Sequence, residues 1–242
     1  MGIFNLLHNG NAAIDTSSVA NGYITYEYIG AGQVMAVLLH DKKQMVFPLD
    51  ARVFVASLTM GDGVYKASVY KGKMNVLTKR FRVSLGDSCT PYLCSNSWVD
   101  LDSNPLAVAQ AEALCNDKQR AYDKVIVIYD WIRAHVTYNY PKATGIKPGY
   151  IPRADATLIS RNGICSDYCS LMAVMLRSQG IPCRIVSGNL NGTAVRHAWV
   201  EVYIDNRDAD VRIRMWQRFD PTLHPEPERL NNSKYYKADY YL

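Results

Sequence analysis

The sequence predicts an α+β protein in two parts: a small all-β, sandwich-like domain, then helices packed on an antiparallel sheet. Three observations carry this. From Gly22 to about Leu85, apolar and polar residues alternate in short runs separated by turn signals, the period of half-buried strands. After Pro105 the apolar spacing becomes helical, with Ala121, Val125, Ile128 and Ile132 on one face. From Arg196 onward, two alternating runs flank a polar turn, the pattern of a hairpin.

Composition narrows the function. The chain has 242 residues, 48% hydrophobic and 20% charged, ordinary values for one or two globular domains. Its net charge of +5 is scattered rather than clustered, which argues against a nucleic-acid partner. No apolar run reaches membrane-spanning length. The opening M-G-I-F-N-L-L-H-N-G-N lacks the basic stretch and apolar core of a secretion signal. An extracytoplasmic, cell-envelope location is expected if a signal has been removed, and a cytoplasmic one otherwise. Six cysteines are too few for a disulfide scaffold. Cys89 and Cys94 flank a proline-containing loop and are able to pair in an exported protein. They lack a matching second pair, so neither a metal nor a cofactor is expected.

The elements follow in order. Residues 1–20 are small and polar and read as an N-terminal extension. Within 21–86, residues 23–28 alternate. Residues 33–40 and 44–48 flank Asp41-Lys42-Lys43, and 64–70 and 74–85 flank Lys71-Gly72-Lys73. With Gly61-Asp62-Gly63 as a further turn, about six short strands suggest a β-sandwich that carries no chemistry of its own. Residues 87–104, rich in Ser, Asp and Asn, read as a linker to a second domain, 105–242. Pro105 opens a helix to about Leu114. A longer one covers 118–135 with Asp117 as N-cap. Tyr138, Tyr140 and Pro141 form an aromatic turn, and 142–155 is a loop placed to wall a cleft.

The stretch 161–188, R-N-G-I-C-S-D-Y-C-S-L-M-A-V-M-L-R-S-Q-G-I-P-C-R-I-V-S-G, reads as a loop, a buried helix and a strand. Ser166 and Asp167 suit a first helical turn. The unbroken apolar run Leu171 to Leu176 leaves the helix no solvent face. Gly180 sits where a left-handed cap belongs, and Pro182 bars continuation. Cys165 falls at the helix start, where unpaired N–H groups and the dipole favour a thiolate and can stabilise an oxyanion. A buried structural cysteine is the competing reading, and this segment alone leaves both open.

In the hairpin, Ala198, Val200, Val202 and Ile204 share one face, while His197, Trp199, Glu201 and Tyr203 share the other. On the return strand Val211, Ile213, Met215 and Phe219 are the apolar set, with Arg212, Arg214, Trp216, Arg218 and Asp220 opposite. If Ile204 pairs with Val211, His197 faces Arg218 with Asp220 diagonal to it. A shift by two places Asp220 directly opposite His197. Both registers put His197 and Asp220 on one side. A carboxylate there fixes the imidazole tautomer and stabilises the imidazolium.

The segments G-I-C-S-D-Y, G-I-P-C-R-I-V-S-G, H-A-W-V-E-V and W-Q-R-F-D-P-T, preceded by W-I-R-A-H-V-T-Y-N-Y, resemble the transglutaminase-like superfamily. That superfamily is a branch of the papain-like thiol enzymes, and the resemblance covers roughly residues 107–223. It implies Cys165 as nucleophile, His197 as general base and acid, and Asp220 as the residue orienting His197, with Trp216 and Pro221 structural. It implies thiolate attack on a peptide or protein amide, a thioester, and resolution by water or an amine. Cys169 and Cys183 stand where the family usually has a small residue such as Ala. The 32-residue interval from Cys165 to His197 is far shorter than that of papain itself. No acidic cluster resembles the calcium sites of animal transglutaminases. Bacterial members often carry an accessory β-domain and are often exported. Two functions follow: a thiol-dependent amide hydrolase or acyltransferase, or a binding and assembly module whose triad is idle. The intact triad favours the first.

Overall fold

A computed structural model describes residues 6–49, 53–147, 149–190, 196–206, 213–223 and 235–242. The chain divides between Ser97 and Trp98. The first unit holds β1 (Leu6–Asn9), β2 (Ala12–Asp15), β3 (Tyr23–Tyr28), β4 (Met35–His40), β5 (Lys43–Pro48), β6 (Val53–Ser57), β7 (Gly63–Lys71) and β8 (Met74–Val83). They form two four-stranded sheets, ordered β1-β2-β3-β6 and β5-β4-β7-β8. Alternate residues point inward, as Ile24, Tyr26 and Tyr28 do in β3 and Ala36 and Leu38 in β4. The inner faces meet where the Tyr26 hydroxyl donates to the Val37 carbonyl at 3.0 Å and the Phe47 and Phe54 rings lie 4.6 Å apart.

Two features of this unit differ from the sequence reading. Residues 6–15 are strands β1 and β2, with Ala12 and Ile14 buried, rather than a loose extension. Two inward residues among Asn, Gly and Asp are too few to show a period, so eight strands are seen among the described residues instead of six. Residues 87–97 are also packed, with Cys89, Tyr92 and Asn96 buried, and Val99 is buried in the second unit. Their polar residues are turn formers. Asp87 accepts the Cys89 N–H at 2.8 Å, and the Asn96 amide donates to the Ser57 hydroxyl at 2.9 Å. Gly22, at φ +84°, packs so close to Pro91 that a Cβ would reach its backbone at 2.8 Å. The Cys94 thiol donates to the Asn21 and Thr90 carbonyls at 2.7 and 3.2 Å.

The second unit contains α1 (Pro105–Cys115), α2 (Ala121–His135), β9 (Thr137–Tyr138), α3 (Tyr140–Gly145), α4 (Ala154–Ser160), β10 (Asn162–Gly163), α5 (Cys165–Ser178), β11 (Cys183–Leu190), β12 (Arg196–Asn206), β13 (Ile213–Phe219) and β14 (Tyr236–Tyr241). Helix α5 is surrounded by α1, α2, α4 and strands β11 and β12. Every residue from Ser166 to Arg177 is buried. It ends where the apolar run predicts: Gly180 has φ +69°, its N–H bonds to Arg177 O at 3.0 Å, and Ile181 N–H bonds to Leu176 O at 3.1 Å. These are the two hydrogen bonds of a Schellman motif.

Three local expectations change. Helix α2 starts at Ala121, because Asp117 pairs with Lys118 at 2.8 Å while Asp123 supplies the first-turn charge and is gripped by Arg120. The segment 142–155 is not one loop. Asn139 accepts the Lys142 N–H at 2.8 Å and starts α3, and α4 occupies the far end. The hairpin register lies beyond both expected ones: Ile204 is opposite Met215 and Val200 opposite Phe219. Cross-strand contacts reward that register. It sets Arg184, Glu201 and Arg218 in one row across β11, β12 and β13, and places Tyr203 beside Trp216.

The displacement is even, so the faces are unchanged. Ala198, Val200, Val202, Ile204 and Phe219 are buried, although Met215 is 48% exposed. The opposite face is also covered at its His197 end. Tyr236 from β14 packs edge-on against Trp199 at 5.0 Å, and the Arg218 guanidinium lies over both rings. The sheet order is β13-β12-β11-β14. Gly188, opposite His197, lets β14 approach, since a Cβ there would come within 2.0 Å of the Lys237 carbonyl. Gly188→Ala is therefore expected to cost about 2–3 kcal/mol, read as a lower urea midpoint. An unchanged midpoint would mean that β14 is not held against this position.

Candidate active site

Cys165 opens helix α5 and is half-buried, with Ile164 extended before it as N-cap. The first turn is tied back on itself: the Asp167 carboxylate accepts the Ile164 N–H at 2.8 Å, one half of a capping box. Strand β9 pairs in parallel with β10, just before this turn, and so delivers Tyr138 to it. The Tyr138 hydroxyl accepts a hydrogen bond from the Cys165 backbone N–H. Burial pushes the Tyr138 phenol up, so it stays neutral.

His197 on β12 and Asp220 just after β13 are brought together with Cys165. The His197 Nε2 lies 2.8 Å from Asp220 Oδ2, and the Cys165 thiol is hydrogen-bonded to the same imidazole. With Nε2 turned to the carboxylate, Nδ1 is the nitrogen left for sulfur. The pairing does not use the directly opposed positions considered from sequence. In the observed register Asp220 continues opposite Trp199 and reaches His197 diagonally.

Asp220 is fully buried, and both of its oxygens are occupied. Besides His197, Oδ2 accepts the Tyr236 hydroxyl at 2.8 Å. Oδ1 accepts the Thr222 hydroxyl at 2.8 Å and the N–H groups of Thr222 and Leu223 at 3.1 and 3.2 Å. The Tyr129 hydroxyl of α2 donates to the Asp220 carbonyl at 3.1 Å. Burial alone would raise this carboxyl, but hydrogen bonds from His197, Thr222 and Tyr236 outweigh it and hold the group below the usual range. Burial likewise opposes charge on His197. The Asp220 and Cys165 hydrogen bonds win there too, and the imidazole is pushed up to about 9. His197 is therefore an imidazolium at neutral pH.

Cys115, Cys169 and Cys183 are buried, and burial pushes all three up, away from the nucleophilic form. Among the described residues no group of three or more His, Cys, Asp or Glu is placed to hold a metal ion. No helix among them is long and apolar enough to cross a membrane. Sequence reasoning misses Tyr138 and Tyr236. Tyr138 stands in the aromatic turn, but nothing in its spacing says that it meets Cys165. Tyr236 follows a stretch without any period, so no pattern ties it to Asp220.

Residues 108–221 match the model of the transglutaminase-like superfamily. The uncharacterized protein YebA of Bacillus subtilis is 29% identical over 183 residues, 65% of this chain and 22% of its own. A protein-glutamine gamma-glutamyltransferase of Pseudomonas aeruginosa is 32% identical over 83 residues, 29% of this chain and 11% of its own. The matches thus span less than a quarter of either relative's length. Among solved structures, the periplasmic domain of TgpA from Pseudomonas aeruginosa bound to ethylmercury aligns over 87% of this chain and 75% of that one, at 19% identity and a TM-score of 0.44.

The charge balance at His197 is directly measurable. An NMR titration should place its midpoint near 9 in the parent protein. In Asp220→Asn, burial is left opposed by the Cys165 contact alone, and the midpoint should fall to roughly 7 or lower. A midpoint that stays near the parent value would show that Asp220 is not what keeps His197 charged.

Proposed function

Because residues 108–221 belong to the transglutaminase-like superfamily, we propose that this chain performs thiol-dependent acyl transfer or hydrolysis on peptide or protein amides, with Cys165, His197 and Asp220 as its triad. The single observation that supports this best is the imidazole of His197 held between the Cys165 thiol and the Asp220 carboxylate, whose Oδ2 lies 2.8 Å from Nε2. The match to a protein-glutamine gamma-glutamyltransferase makes glutamine side-chain amides the first donors to try.

The His197 imidazolium offers a counter-charge to a negative Cys165 sulfur. Sulfur attacks the amide carbon, a C–S bond forms, and charge moves to the carbonyl oxygen. The Tyr138 hydroxyl, which accepts the Cys165 N–H at the positive end of α5, turns its own O–H to that oxygen. Collapse breaks the C–N bond as His197 passes its Nδ1 proton to the leaving nitrogen. The neutral imidazole then takes a proton from water or an amine as that nucleophile attacks the thioester and sulfur departs. Asp220 keeps the Nε2 proton in place throughout.

Iodoacetamide near neutral pH should modify Cys165 ahead of every other cysteine, mapped by peptide mass spectrometry. Preferential labelling elsewhere would sink the assignment and leave a binding scaffold with an idle triad. The proton needed by the leaving nitrogen is present below the His197 value and lost above it. Turnover of a glutamine-containing test peptide with hydroxylamine should therefore fall as pH rises through about 9. Asp220→Asn should leave the fold intact and slow acylation by roughly 10²-fold or more. A folded variant that turns over like the parent would remove Asp220 from the triad.

A further inference from the structure

We propose that Asp167 and Lys142 are positioning residues: a buried carboxylate paired with a half-exposed ammonium locks α3 and Tyr150 onto the Cys165 turn and so sets the thiol against His197. The inference rests on the thiol reading above. Asp167 stands two residues after Cys165, is fully buried, and has both oxygens engaged. Its Oδ2 accepts the Ile164 N–H at 2.8 Å and Lys142 Nζ at 2.5 Å, and its Oδ1 accepts the Tyr150 hydroxyl at 2.5 Å. Lys142 Nζ donates in turn to the Tyr150 hydroxyl at 2.7 Å and lies 4.7 Å from that ring's centre. The triangle joins α3, residue 150 and the first turn of α5.

The backbone makes the same connection. Thr137 N–H donates to Arg161 O at 2.9 Å, and Asn139 N–H donates to Gly163 O at 2.8 Å. The Asn139 side chain, which accepts the Lys142 N–H, is also hydrogen-bonded to that of Asn162. Gly163 leaves the room required, because a Cβ there would meet the Asp167 Cβ at 2.7 Å. Every tie runs from the segment ahead of α4 to the few residues around Cys165.

Stability alone is a poor account of this pair. Burying the Asp167 carboxylate offsets much of its attraction to Lys142, whose side chain is 33% exposed and screened by solvent. Direction is what an ammonium and a carboxylate add, since their hydrogen bonds are satisfied at one geometry. At the first turn of α5, a small error in that geometry is an error in the Sγ-to-His197 distance. Lys142 also neutralises a carboxylate that would otherwise oppose negative charge on a sulfur two residues away.

The test uses the full chain as parent, Lys142→Met, Lys142→Arg and Tyr150→Phe, each checked by circular dichroism to be folded at the assay temperature. Two quantities are read: the rate of Cys165 alkylation by iodoacetamide and the NMR titration of His197. Lys142→Met is expected to slow alkylation by about tenfold and to lower the His197 midpoint, because the Cys165 contact that helps raise it is displaced. Lys142→Arg should stay within about threefold of the parent, and Tyr150→Phe, which keeps the ion pair, should slow alkylation by about threefold. A folded Lys142→Met with parental alkylation and parental His197 titration overturns the lock. If Lys142→Met does not fold, Tyr150→Phe decides on the same two readouts. A parent protein that is not alkylated at Cys165 overturns the thiol reading, and the lock with it.

Discussion

The second unit depends on one constraint: helix α5 is buried from Ser166 to Arg177 and has no face to give to water. Leu171, Met172, Val174, Met175 and Leu176 are fully buried, each worth about 1.5–3 kcal/mol. Together they amount to something of the order of a small domain's whole net stability. Helices α1, α2 and α4 and strands β11 and β12 supply that envelope. The helix can therefore neither shift nor rotate without losing the core, and its N-terminus becomes a fixed point. Cys165 is that point. A thiol on a loop would have had to be restrained by contacts of its own.

Fixing the thiol solves half of the geometric problem, and the sheet solves the rest. His197 lies on β12, which packs against α5, while Asp220 follows β13 and β12 pairs with β13. Three backbone elements thus place three side chains, and the side chains need only short reaches. The charges are handled the same way. Asp220 and Asp167 are fully buried carboxylates, and each has both oxygens hydrogen-bonded. A buried carboxylate left short of partners would cost several kcal/mol, so the donors around these two groups are a condition of the fold. Glu201 repeats the pattern further along the sheet, held by Arg184 at 2.7 Å and Arg218 at 3.4 Å.

What was legible in the sequence divides along a physical line. Helix α5 could be read because its signals are local: a six-residue apolar run, a glycine cap and a following proline. The sharing of one face by His197 and Asp220 could be read because strand parity survives any even shift of register. The register itself could not. It is decided by Glu201 meeting Arg184 and Arg218 and by Tyr203 meeting Trp216, contacts that exist only once three strands are assembled. Strands β1 and β2 were hidden because short strands with two inward residues have no period to detect. The packed backbone of 87–97 was hidden because turn residues have the same composition whether or not the segment they shape is buried.

Tyr236 shows where motif reading stops. It lies beyond the segment 108–221 matched by the family, on β14, yet its hydroxyl shares Asp220 Oδ2 with His197. That hydrogen bond helps hold a fully buried carboxylate charged, and the charged carboxylate in turn holds His197 as imidazolium. Strand β14 reaches this position because Gly188 has no side chain to keep it away, and it is fastened further along by Arg184, which stacks 4.1 Å from Tyr241. The protonation state of the imidazole is therefore set partly by a strand outside the recognisable core. A comparison confined to the Cys, His and Asp motifs would find the proposed triad and still miss one of the groups that set its charge.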